Sequence, residues 1–171
     1  MTKSSKKQID KDEKKIISFL QYNCKESIDK IAKKCGFSRQ KVWRVIKRLE
    51  KNKTIWGHHA VIDNEKIDMK KYLILIKRTT KPMTKETVTK LTKIKTKQEN
   101  VNIDDVYYVN GSFDIFVSVT SPNIISVKRF CEEMCTTFDG FVLDIQILNI
   151  LFTIKESFID NPNAKKLDEF I

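Results

Sequence analysis

Arg39, Gln40, Trp43 and Arg44 recur three and four residues apart, and Lys47 and Lys51 continue the same row. On a helix that spacing puts all six on one face. The chemistry they offer is that of reading and gripping nucleic acid. A guanidinium can bond the O6 and N7 of one guanine, and a Gln amide can pair with the N6 and N7 of adenine. Trp43 has no acceptor, so it would meet a thymine methyl or a sugar, pack against a partner helix, or close the core of its own domain. Ser38, Lys41, Lys47 and Lys51 suit phosphate oxygens, which position a protein without specifying a sequence.

The elements that must hold this row are legible around it. Ser27 can cap a first helix through its hydroxyl. Ile28, Ile31, Ala32 and Cys35 then follow at helical spacing and make one buried stripe. Gly36 stands where that helix stops, a place that favours left-handed backbone. Ser38 can cap the next helix, which buries Val42, Val45, Ile46 and Leu49 and turns its cations, Arg48 among them, outward. Two helices joined by a short Gly-containing turn are the helix-turn-helix pattern, and the second helix is the one that enters the major groove of duplex DNA. Upstream, Asp10 with Glu13 reads as a capping box opening a helix that buries Ile16, Ile17, Phe19 and Leu20 and ends near Asn23. Downstream, residues 54–63 carry β-formers and a central Gly57, and read as a wing or exit strand.

Charge follows the same division. The 171 residues carry a net +11, and the chain to Glu65 holds 17 Lys/Arg against 8 Asp/Glu, while the remainder holds 16 against 14. A basic half joined to a near-neutral half points to a nucleic-acid module with a second module of another kind. No apolar run approaches the roughly 20 residues of a membrane helix, and the basic start, MTKSSKKQIDKDEKK, has no apolar segment of the signal-peptide kind. A cytoplasmic location is therefore expected. Cys24 and Cys35 are eleven apart, and Cys131 and Cys135 four apart. Neither is the close spacing of a zinc ribbon, so buried thiols are expected. His58 and His59 are adjacent and would face opposite sides of a strand, so no metal site and no cofactor are expected.

The second half has its own rhythm. Residues 72–76 are a short apolar strand, and Thr84 to Gln98 carries Val88, Leu91 and Ile94 at helical spacing. Residues 101–109 and 113–119 are strand-like, and the Asn110-Gly111-Ser112 turn between them makes a hairpin. Pro122 and Asn123 start a helix burying Ile125, Val127 or the Lys128 stem, Phe130, Met134 and Phe138; Val142 to Thr153 is a final strand. The order β-α-β-β-α-β is the ferredoxin-like split βαβ. The fold class expected is α+β: a basic tail (1–8), a winged helix-turn-helix domain (9–63), a hinge (64–69), a ferredoxin-like domain (70–157) and a C-terminal extension (158–171). One face of such a sheet stays uncovered, and a second copy of the chain covers it most simply, which makes a homodimer.

From Ile9 to Lys155 the chain resembles the Lrp/AsnC family of bacterial and archaeal feast/famine regulators. The resemblance rests on Ile9-Asp10, Ile16-Ile17, Leu20-Gln21, Ile31-Ala32, Gly36-Phe37-Ser38, Val42 and Ile46-Lys47-Arg48-Leu49-Glu50, then on Val109-Asn110-Gly111-Ser112-Phe113-Asp114-Ile115. It implies sequence-specific binding of pseudo-palindromic promoter sites by dimers, which often build tetramers or octamers. In many members it also implies modulation by an amino acid held between dimers near the turn matching Asn110, Gly111, Ser112 and Asp114. The residues themselves allow Gly111 to shape the hairpin and leave Asp114 divided between capping the turn and meeting an effector. Backbone N–H groups of such a turn can hold a carboxylate, and Asp114 could pair with an ammonium. The chain departs from the pattern at Trp43, at Val45 and at Asn52-Lys53-Thr54, where the family usually has a small polar residue, a charged residue and a Gly. Two other classes fit parts of the sequence. A similar pair of domains occurs in siroheme decarboxylases, where His58, His59 or Arg78 would serve an anionic tetrapyrrole. A Lys-rich structural protein would bind duplexes without sequence preference. The clustering of cations on one helix, with no acid–base constellation beside it, favours the regulator over both.

Overall fold

A computed structural model describes residues 11–170 of the chain. The fold divides into two compact units. One holds the chain up to Val61 together with the segment from Thr153 onward; the other runs Ile62–Phe152.

The first unit is built on three helices, α1 (Lys11–Tyr22), α2 (Ile28–Cys35) and α3 (Arg39–Lys51). Ser27 caps α2 by accepting from the Lys30 N–H (3.3 Å), and Ser38 caps α3 by accepting from the Lys41 N–H (3.2 Å). Gly36 ends α2 with φ +72°, where a side chain would be strained. Ile16, Ile31, Ala32, Cys35, Val42, Val45 and Leu49 form the core, with Ile17, Phe19, Leu20, Ile28, Phe37, Ile46 and Ile55 half-buried around it. Removing so enclosed a side chain as Leu49 costs about 2–5 kcal/mol. Asp10, half of the expected capping box, lies outside the described residues. Its expected partner Glu13 is buried and reaches α3 instead, 2.6 Å from the Arg48 guanidinium. Arg48 is thus a tie between helices and not a free surface cation. The expected wing is also absent as a strand: among the described residues, 56–63 pair with no neighbour, and a lone β-forming segment has no ladder to join.

The second unit is a four-stranded antiparallel sheet of β1 (Lys70–Arg78), β2 (Asn102–Tyr108), β3 (Ile115–Ser121) and β4 (Val142–Asn149), in the order β2-β3-β1-β4. Helices α4 (Lys85–Thr92) and α5 (Ile124–Thr137) make the crossovers. This is the expected ferredoxin-like arrangement. Tyr72, Ile74 and Ile76 of β1 and Ile115, Val117 and Val119 of β3 point to one face and meet Val127, Phe130, Cys131 and Met134 of α5. The opposite face carries Leu73 and Leu75, flanked in register by Phe116 and Leu148. Tyr107 lies beside Phe116, ring centroids 6.3 Å apart.

Several boundaries differ from expectation. Helix α4 stops at Thr92, because Ile94 turns toward the core and the Lys97 N–H goes to the Glu133 carboxylate (3.1 Å). Strand β4 ends at Asn149, and Ile125 is exposed on α5 while Cys131 takes a core place. Cys24 and Cys135 are exposed, so only two of the four thiols are buried. The chain also leaves the sheet unit at Phe152, ahead of the expected boundary at 157. Beyond it, β5 (Lys155–Glu156) and β6 (Ile159–Asp160) form a hairpin. Ser157 and Phe158 make its two-residue turn, both with positive φ (46° and 70°), as the twist of a tight hairpin requires. The Phe158 ring meets Tyr22 of α1, centroids 5.4 Å apart.

Candidate nucleic-acid interface

The cationic row on α3 is one surface. The apolar positions Val42, Val45 and Leu49 are buried, which fixes the rotation of the helix. Arg39, Gln40, Trp43, Arg44, Lys47 and Lys51 are then all exposed. Trp43 is 51% exposed and stands outside the core, which removes the reading in which it closes the domain. The Arg44 Nε–H donates back to the Gln40 carbonyl (3.4 Å), lying along its own helix. Arg39 faces Asp29 of α2 across 3.5 Å, with both side chains largely in solvent. An exposed pair of that kind is worth little, so Arg39 can leave it for a stronger acceptor.

One of the expected phosphate contacts, Lys41, is committed elsewhere. The Lys41 ammonium is paired with the Asp12 carboxylate of α1 and sits 4.2 Å from the centre of the Phe37 ring. It lies off the exposed row and ties the helices together. Sequence spacing alone counts Lys41 with its neighbours; its half-buried position shows the difference. Ser38 spends its oxygen on the α3 cap, although its hydroxyl proton remains available. Lys47 pairs with Glu50 at 2.9 Å and holds that carboxyl below the usual carboxylate range, with His58 adding to the effect. Lys51 stays exposed at the helix end. The Arg48–Glu13 tie gave no sequence signal beyond two opposite charges on separate predicted helices.

The turn at 110–114 is a second place of interest. Asn110, Gly111 and Ser112 are exposed. Asp114 is not a free turn residue. Its Oδ2 accepts from the Arg78 backbone N–H (3.0 Å) and its Oδ1 from the Arg78 Nε–H (2.9 Å). Those bonds, the backbone one foremost, hold its carboxyl below the usual range. Its own N–H donates to the Ile76 carbonyl (3.0 Å). Asp114 therefore locks the hairpin end to β1. Gly111 has no positive φ, and a Cβ added to it would meet nothing within 4 Å. The hairpin does not need a glycine there, so the expectation that Gly111 shapes the turn is corrected. A cavity of about 410 Å³ in this unit lies elsewhere, between the end of α4 and α5.

Comparison with known proteins agrees with this geometry. Residues 9–50 match the AsnC-type helix-turn-helix domain. An HTH-type transcriptional regulator of Bacillus subtilis, YugG, itself uncharacterized, is 26% identical over 144 residues, covering 76% of this chain and 78% of that protein. An AsnC family transcriptional regulator from Agrobacterium tumefaciens shares the fold with a TM-score of 0.68 at 21% identity, over 95% of this chain and 99% of that one. A transcriptional regulator from Neisseria meningitidis solved with L-methionine matches with a TM-score of 0.66 at 17% identity, over 87% of this chain and 94% of that one.

Proposed function

We infer that this chain, an Lrp/AsnC-type protein by its AsnC-type helix-turn-helix domain and its two-domain fold, is a DNA-binding transcriptional regulator. The observation that carries the reading is the exposed row Arg39, Gln40, Trp43, Arg44, Lys47 and Lys51 on a capped second helix whose opposite side is locked in the core. Arg39, Gln40 and Arg44 reach base edges near the N-terminal half of α3, and Trp43 meets a thymine methyl or sugar. Lys47, Lys51 and the Ser38 hydroxyl hold phosphates.

The regulator works as a homodimer. The sheet face opposite the helices carries Leu73, Leu75, Tyr107, Phe116 and Leu148, and a second copy of that self-complementary surface would bury it. A two-fold dimer calls for pseudo-palindromic DNA, with half-sites spaced by whole turns of about 10–10.5 base pairs. Tetramers or octamers would follow from further contacts between dimers.

An amino-acid effector at Asn110, Gly111 and Ser112 is the finer part of the reading. Support comes from the relative solved with L-methionine and from a glycine that its own hairpin does not require. Asp114 takes part by fixing the turn through Arg78. Mapping the sites bound across the genome tests the function as a whole: discrete promoter-proximal peaks sharing an inverted repeat are expected, and even coverage without a shared sequence would defeat it. A thermal-shift screen of the twenty amino acids tests the effector, with stabilisation by at least one of them expected and its loss in Gly111→Val.

A further inference from the structure

Trp56 is 93% exposed, the barest large apolar side chain among the described residues. Tryptophan is among the side chains enriched where proteins meet their partners. The chain just ahead of Trp56 is held to the C-terminal end of α3. Before it, Ile55 is half-buried in the first core and its N–H donates to the Leu49 carbonyl (3.1 Å). After it, the His58 Nε2 lies 3.9 Å from the Glu50 Oε1. Trp56 therefore follows directly on the Ile55 anchor at the end of the recognition helix.

Charge decides what covers it. Residues 39–59 hold seven Lys/Arg against the single acid Glu50, and Lys51 and Lys53, which precede Trp56 in the chain, are both exposed. A second copy docked through this surface would press like charges together, which is costly. A polyanion with apolar faces fits, and duplex DNA is one. Its sugars and base edges accept aromatic side chains while its phosphates take the lysines.

We propose that Trp56 is a DNA-contacting residue, its ring lying against the deoxyribose edge of the duplex beside the groove that α3 enters, with Lys51 and Lys53 on the flanking phosphates. This rests on the DNA-binding reading above and extends it to a segment outside the helix-turn-helix. The contact has no hydrogen-bond code, so it adds affinity on every sequence and little specificity.

The test uses the full chain labelled with 5-fluorotryptophan. Trp43 and Trp56 are its two tryptophans, so two fluorine resonances are expected, assigned with W43F and W56F. In the free protein the Trp56 resonance should show a full H2O/D2O solvent shift; on adding duplex DNA it should move and lose most of that shift. In gel shifts, W56A should weaken specific and random duplexes alike by about tenfold, and W56F should recover most of the loss. A Trp56 resonance already shielded before DNA is added would overturn the proposal and place the ring between copies of the chain. So would a Trp56 resonance that stays put while that of Trp43 moves. If the unsubstituted protein shifts no duplex at all, the DNA-binding reading fails, and the proposal with it; the solvent shift of free Trp56 still separates that case from an interface between copies.

Discussion

In the proposed reading, base recognition falls most on Arg44, because among the described residues its bond is to its own helix alone. Arg44→Ala should cost about 1–3 kcal/mol on a selected site and relax one base position, whereas Lys47→Ala should weaken all sequences alike and lower the salt slope by about 1. Gel shifts over a range of salt check both. Lys41→Ala should do the reverse: little change in DNA affinity, and a loss of about 0.2–1 kcal/mol of folding stability, since its pair with Asp12 is half-exposed. At the hairpin, Asp114→Ala should lower stability by about 1–2 kcal/mol through its lost charge-assisted bonds, while Gly111→Ala should change it by less than about 0.5 kcal/mol. Asp114 has a folded pKa depressed below the unfolded one. Its contribution is therefore present above the ordinary carboxylate range and disappears as pH falls through the folded value. Thermal melts from neutral to acid pH should show Asp114→Asn converging on the unsubstituted protein at the acid end.

The C-terminal hairpin is the element with the least precedent in the sequence and the clearest consequence. Phe158 places its ring on Tyr22 at the end of α1, so β5 and β6 belong to the DNA-binding unit though they follow the sheet in the chain. Phe158→Ala should cost that unit about 0.5–1.5 kcal/mol, read by hydrogen exchange at the last turn of α1, with the sheet unit unaffected. Unchanged exchange there would show that the hairpin adds nothing to α1. Nothing local to residues 153–170 announces this docking, because a single ring on a distant helix leaves no periodicity. The other elements divide by the same rule. The two capped helices were legible from Ser27, Gly36 and Ser38, since caps and stripes are local. The sheet was legible from alternation and the Asn-Gly-Ser turn. The early end of α4 was not, because Glu133 on a remote helix captures the Lys97 N–H. Residues 56–63 carry β-formers without a partner strand, and propensity alone cannot supply one. In the binding row, spacing identified the face but not that Lys41 and Arg48 are claimed by Asp12 and Glu13 of α1.

For the whole molecule, the two units carry different work: one presents the cationic row, the other an apolar sheet face suited to a second copy. A dimer is expected by light scattering at micromolar concentration, and Leu75→Lys, which puts a charge in the middle of that face, should shift it toward monomer. Should Leu75→Lys remain dimeric with unchanged mass, the sheet face would not be the interface. Dimerisation would matter to recognition because one helix reads only a few base pairs, and two helices fixed by symmetry would multiply the discrimination. The central claim is sequence-specific binding through α3, and the most direct measurement is the ratio of affinities for a selected inverted-repeat duplex and a random duplex of the same length, at one fixed salt concentration. The fold and the exposed row predict a ratio of at least about 10³, falling toward that of a random duplex when Arg39 and Arg44 are both replaced by Ala. Equal affinity for the two duplexes in the unsubstituted protein would contradict it.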